Sequence, residues 1–168
     1  MNDISKIFSD AINEQYGAAI GMLEINLESC PEEVWDDRSE GPPFWHVAFH
    51  VMWYLDWYLS DSLEARKSFK SKFGKKSSQY LNQEPEITLT RSQLLDYLSD
   101  IKEKAKNRFK DLTSDEIIIP SIFEWHGNSI LSSLLYNLRH LMLHIGALNL
   151  RLHRKGVKLE NWISNKRI

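Results

Sequence analysis

A chain of 168 residues is long enough to bury a sizeable core and reads most simply as one domain, residues 1–168. Hydrophobic content of 42% with 26% charged residues is that of an ordinary soluble globular protein, and a net charge of −2 argues against a chain built mainly to bind nucleic acid. A single cysteine, Cys30, leaves no internal disulfide framework and no cysteine-based zinc knuckle, and no apolar run approaches the roughly 18 residues of a membrane span.

Residues Met1 to Ser5 lack a basic region followed by an apolar one, so a cytoplasmic location is the default expectation. Ile4, Phe8, Ile12, Tyr16, Ile20, Leu23 and Leu27 recur every three or four residues and predict an amphipathic first helix over about 3–28, with Asp3 as N-cap. Cys30-Pro31 ends it, and the acidic stretch from Glu32 to Gly41 reads as a loop or short turn around Trp35. Pro42-Pro43 suits a helix start, predicting a second helix from about Phe44 to Arg66. Its first half is apolar nearly all round, with Asp56 the exception. Such a helix is either central or forms a subunit interface as well.

Residues 67–89 break the periodicity. Lys67, Lys70, Lys72, Lys75 and Lys76 read as a solvated connection in preference to a nucleic-acid contact. Thr90 and Gln93 match a capping box and open a third helix carrying Leu94, Leu98, Ile101, Ala105, Phe109 and Leu112. Strand-like residues around Pro120, from Ile117 to Gly127, predict a short extended crossing or small hairpin between helices three and four. Asn128 or Ser129 caps the fourth helix, which runs to about Lys155 and stops at Gly156. Together these elements predict an all-α four-helix bundle. The tail containing Trp162 has too little pattern to place.

Two histidine pairs carry the chemistry. His140 and His144 stand one turn apart on the fourth helix, and His46 and His50 repeat that spacing on the second. Six histidines placed at random would give about 0.2 pairs four apart, so two is an excess worth following. At ~1.5 Å per residue, His140 and His144 lie roughly 17 and 23 Å into their helix. His50 lies roughly 10 Å into its own and His46 only roughly 5 Å, so His50 comes closer to the pair whichever way the helices run. Three histidines from two helices form a ligand set that leaves a coordination position open. That predicts His50, His140 and His144 as metal ligands, with His46 at the rim or behind them. His126, before Gly127, reads as a turn residue, with a place at a pocket mouth as the alternative. His153 complements its helix dipole. Neither pair contains the glutamate of His-Glu-x-x-His, and no helix carries Glu-x-x-His, which weakens zinc-protease and di-iron readings.

The blocks Trp45-His46-Val47-Ala48-Phe49-His50 and His140-x-x-x-His144-Ile145-Gly146-x-Leu148, with Ser129-x-Leu131-x-x-Leu134-Leu135 and Gly156, resemble the DinB/YfiT-like family of four-helix-bundle proteins. In that family one histidine of the second helix and an H-x-x-x-H of the fourth hold a metal. Carried over, these positions are His50, His140 and His144. The resemblance implies a divalent ion, zinc or nickel, and a homodimer. It also implies a thiol-dependent transferase or hydrolase acting on a small electrophile, with a low-molecular-weight thiol as a candidate co-substrate and neither nucleic acid nor membrane as partner. No catalytic side chain is assigned. The competing expectation is a non-catalytic bundle with structural histidines that binds a protein partner.

Overall fold

The structure is a computed structural model that describes residues 4–110, 112–160 and 162–168, leaving aside the side chains of residues 5, 75 and 124. The cap expected at Asp3 lies outside the described residues. Four long helices form the body: α1 (Ile4–Ser29), then, after the short α2 (Glu32–Trp35), α3 (Phe44–Tyr58), and after the short α4 (Leu63–Ser68), α5 (Arg91–Lys110). A turn of helix, α6 (Ser114–Ile118), leads to the fourth, α7 (Ile130–Arg154). No strand occurs among the described residues.

Each long helix buries the stripe its sequence marks. In α5, Leu94, Leu98, Ile101, Ala105 and Phe109 face inward, and in α7 Leu134, Leu141, Ile145, Leu148 and Leu152 do. The expected caps are in place. Thr90 and Gln93 bond reciprocally, Gln93 N–H donating to Thr90 Oγ1 at 3.3 Å and Thr90 N–H to Gln93 Oε1 at 2.8 Å. Ser129 Oγ accepts from the Ser132 amide at the start of α7. Gly156, at φ +79°, closes its end, with the Val157 amide reaching back to Leu152 O at 3.0 Å.

Hydrogen bonds between helices fix their directions. Tyr16 and Asn26 of α1 donate to Leu134 O and Ile145 O of α7, rising together along both helices, so these two run parallel. Asn137 reaches Leu55 O while His50 meets His144, so α3 and α7 are antiparallel. Ser9 bonds Phe109 O, and Glu24 pairs with Lys102, so α1 and α5 are antiparallel too. Helices α3 and α5 therefore descend side by side, which requires a long return connection.

That return is residues 59–90. Phe69 packs edge-on against Trp53 at 5.2 Å, and Phe73 meets Phe49 and Tyr97 at 5.8 Å each. The lysine-bearing segment is thus a solvated connection with an apolar underside. The second helix stops at Tyr58, short of the expected Arg66, because Ser62 caps a separate turn, its Oγ accepting from the Ala65 amide. Asp56 answers Lys104 at 2.6 Å and the Tyr97 hydroxyl at 2.7 Å, tying α3 to α5. The crossing between α5 and α7 is compact. Its isoleucines begin in α6 and straighten from Ile119, the C-cap of that turn, up to a short 3-10 turn at 124–126.

The tail is placed by glycine. Lys166 crosses α1 so closely that a Cβ on Gly17 would lie 1.8 Å from the Lys166 carbonyl oxygen. Arg167 pairs with Glu14 and Asp10, while Trp162 is 79% exposed.

Candidate metal centre

The antiparallel run of α3 and α7 brings His50 onto the pair at His140 and His144. One ligand nitrogen from each of the three lies within 4.8 Å of the others, and all three rings are half-buried. Ring centroids are 5.3 Å apart for His50–His140 and 4.6 Å for both His50–His144 and His140–His144. His50 Nε2 and His144 Nε2 are 3.2 Å apart. Two nitrogens on one tetrahedral zinc at ~2.05 Å would be about 3.3 Å apart, so this pair already has the required separation.

The electrostatics suit a cation binding neutral imidazoles. Burial, then the charges of His144, His50 and His126, lowers His140 to about 3. Burial and His50 lower His144 to about 4. Burial also lowers His50, against the Gln79 carbonyl, which its Nδ1 meets at 2.7 Å. All three side chains are therefore neutral at pH 7, the state a metal requires. His140 Nδ1 is buried with no hydrogen-bond partner among the described residues. Such an orphan costs roughly 1–3 kcal/mol. The described residues thus fit a divalent ion by donor type, spacing and protonation. Tyr54 flanks the group, its ring 4.9 Å from His50 and 5.3 Å from His140.

His46 stays outside the group. Its ring is buried and its Nε2 meets Ser78 O at 2.9 Å. His126 is 7% exposed, stacked on Tyr136 at 3.8 Å and set against Tyr58 at 4.3 Å, with both ring nitrogens unpartnered among the described residues. It lies in the 3-10 turn beside the site as expected of a turn residue, but as an inward-facing one. His153 is exposed in the last turn of α7. Cys30 is buried, and burial pushes its thiol up to about 12, which removes it as a nucleophile. The residues that reading the sequence misses are Ser78 and Gln79, which act through backbone carbonyls and leave no side-chain signature.

No curated protein and no solved structure matches the chain. Residues 15–148 match the family model described as the DinB superfamily, a span that takes in α3, α5 and all three clustered histidines. The chain belongs to the DinB superfamily.

Proposed function

We propose that His50, His140 and His144 hold one divalent ion, zinc or nickel, and that the protein is a metal-dependent enzyme. Its proposed reaction is transfer of a low-molecular-weight thiol to a small electrophile, or hydrolysis of that electrophile. The observation that carries the reading is the convergence of three neutral imidazoles from two helices, one of them with an orphaned buried nitrogen. A divalent ion on three histidines supplies Lewis acidity and lowers the pKa of a thiol or water at its open position. The chain's own residues do the rest. The α3–α7 packing fixes the separation of the rings, the Gln79 carbonyl orients His50, and Tyr54 supplies an apolar wall. No carboxylate joins the group among the described residues, so the site keeps the full charge of the ion for polarising a ligand. No helix among the described residues is long and apolar enough to cross a membrane.

The homodimer remains part of the proposal, with its surface moved. The second-helix aromatics that suggested it are covered within the chain: Trp53 by Phe69, and Trp57 by Phe123 and Trp125. Helix α7 instead leaves Leu135, Leu143 and Leu150 51%, 68% and 49% exposed on one stripe opposite its buried side. That stripe also favours the second reading, a bundle that binds another protein, and Leu143 adjoins His144 in sequence.

Metal content of protein purified without a histidine tag, set against a His140→Ala/His144→Ala variant, tests the site. About one equivalent in the wild type and none in the variant is expected. Equal content in both would defeat the proposal.

A further inference from the structure

Two consecutive backbone carbonyls meet two histidines that stand a turn apart on α3. Ser78 O lies 2.9 Å from His46 Nε2, and Gln79 O lies 2.7 Å from His50 Nδ1. A carbonyl only accepts, so each of these ring nitrogens carries the hydrogen. In a neutral His50 ring the lone pair then sits on Nε2, the nitrogen 3.2 Å from His144 Nε2.

The segment that offers these carbonyls is bent. Ser78 has φ +38°, a left-handed conformation that is unfavourable for a non-glycine residue and persists only where surroundings enforce it. The enforcement is visible. Ser77 is buried and its hydroxyl donates to Gly74 O at 2.9 Å, while the Ser78 hydroxyl donates to Gln83 Oε1 at 3.0 Å. His46 is 1% exposed, and its other nitrogen, Nδ1, has no partner among the described residues. An apolar ring would fill that place without an orphaned nitrogen. What the imidazole adds over an apolar ring is the bond to Ser78.

We infer that His46 is a positioning residue: it pins the Ser78 carbonyl, which turns the next carbonyl onto His50 and fixes the nitrogen that His50 offers to the metal. This rests on the three-histidine site proposed above. It also links the 59–90 connection to that site, because a cation on Nε2 strengthens the Nδ1 hydrogen as a donor to Gln79. By reciprocity, whatever loosens the connection weakens the ion.

The test uses the full chain and zinc alone. Long-range nitrogen-15 spectra of the metal-free wild type should show His50 with its hydrogen on Nδ1. In His46→Phe that preference should be lost and zinc affinity, by chelator competition, should fall about 10- to 100-fold. His46→Gln, whose amide can donate to Ser78, should recover most of the affinity. A His50 hydrogen on Nε2 in the wild type overturns the inference, as does a His46→Phe protein that binds zinc within twofold of wild type. Should His46→Phe fail to fold, His46→Leu takes its place in the same comparison. A wild type that binds no zinc refutes the metal site, while the spectrum still reports on the contact between Gln79 and His50.

Discussion

The protonation of the histidine cluster gives a quantitative prediction for the pH dependence of metal affinity. A metal competes with protons, so affinity falls when the ligands become charged. Between pH 7.5 and 5.0, one histidine of ordinary pKa 6.5 loses about 30-fold of its neutral fraction, and three lose about 30,000-fold together. Here burial holds His140 at about 3 and His144 at about 4. At pH 5 both remain above about 90% neutral, and together they cost less than about 1.2-fold. His50 is lowered as well, so it contributes less than the roughly 30-fold of an ordinary histidine. Zinc affinity, measured by competition and corrected for the chelator's own protonation, should therefore fall by less than about 30-fold across this range. A fall of about 1,000-fold or more would refute the reasoning, since it needs at least two ligands titrating as solvated histidines.

The same shifts govern the metal-free protein. Depressed folded-state values mean that the unfolded chain takes up protons first, so stability is complete above pH 6.5 and declines as pH falls through 6.5 towards about 4 and about 3. Unfolding free energies from denaturant titrations should be about 2 kcal/mol lower at pH 5.0 than at pH 7.5 after discounting for partial solvent screening, and equal values would contradict the assignment. Gly17→Ala places a methyl group against the Lys166 carbonyl, so the tail should leave α1 at a cost of about 1–3 kcal/mol, read as a lower melting temperature and faster tryptic release of the tail. An unchanged melting temperature with the tail still protected would count against that packing. Asp56→Ala strands Lys104 and the buried Tyr97 hydroxyl and should cost about 1–3 kcal/mol in a denaturant titration. Leu143→Glu should convert the proposed dimer to monomer in sedimentation at micromolar concentration. A dimer that survives it would place the interface elsewhere.

The long helices were legible because each combines an apolar stripe at helical spacing with a local boundary signal, such as the start at Pro43 or the stops at Pro31 and Gly156. The clustering of three histidines was legible for a related reason: His140 and His144 share a face by spacing alone, and depth along the helix chose His50 over His46 as their neighbour. Less of the rest could be read. The break after Tyr58 is marked only by the polar run Ser60-Asp61-Ser62, which the solvent face of a continuing helix could equally carry. Gly17 and Gly21 lie four apart in α1, and that bare strip is the trace in the sequence of where the tail lies. The covering of α3 by residues 69–73 depends on a tertiary return that lysine-rich composition conceals, which is why its aromatics suggested a subunit interface. The carbonyls at Ser78 and Gln79 belong to the backbone, and no residue type announces them.

The central claim is that a single ion is held by three imidazoles, one from α3 and two from α7. X-ray absorption of protein loaded with one equivalent of zinc addresses it directly. The account predicts three imidazole nitrogens at about 2.0 Å in a four-coordinate site, falling to one in His140→Ala/His144→Ala if any zinc remains. A zinc environment with one imidazole or none in the wild type, or zinc that stays fully hydrated, would contradict it.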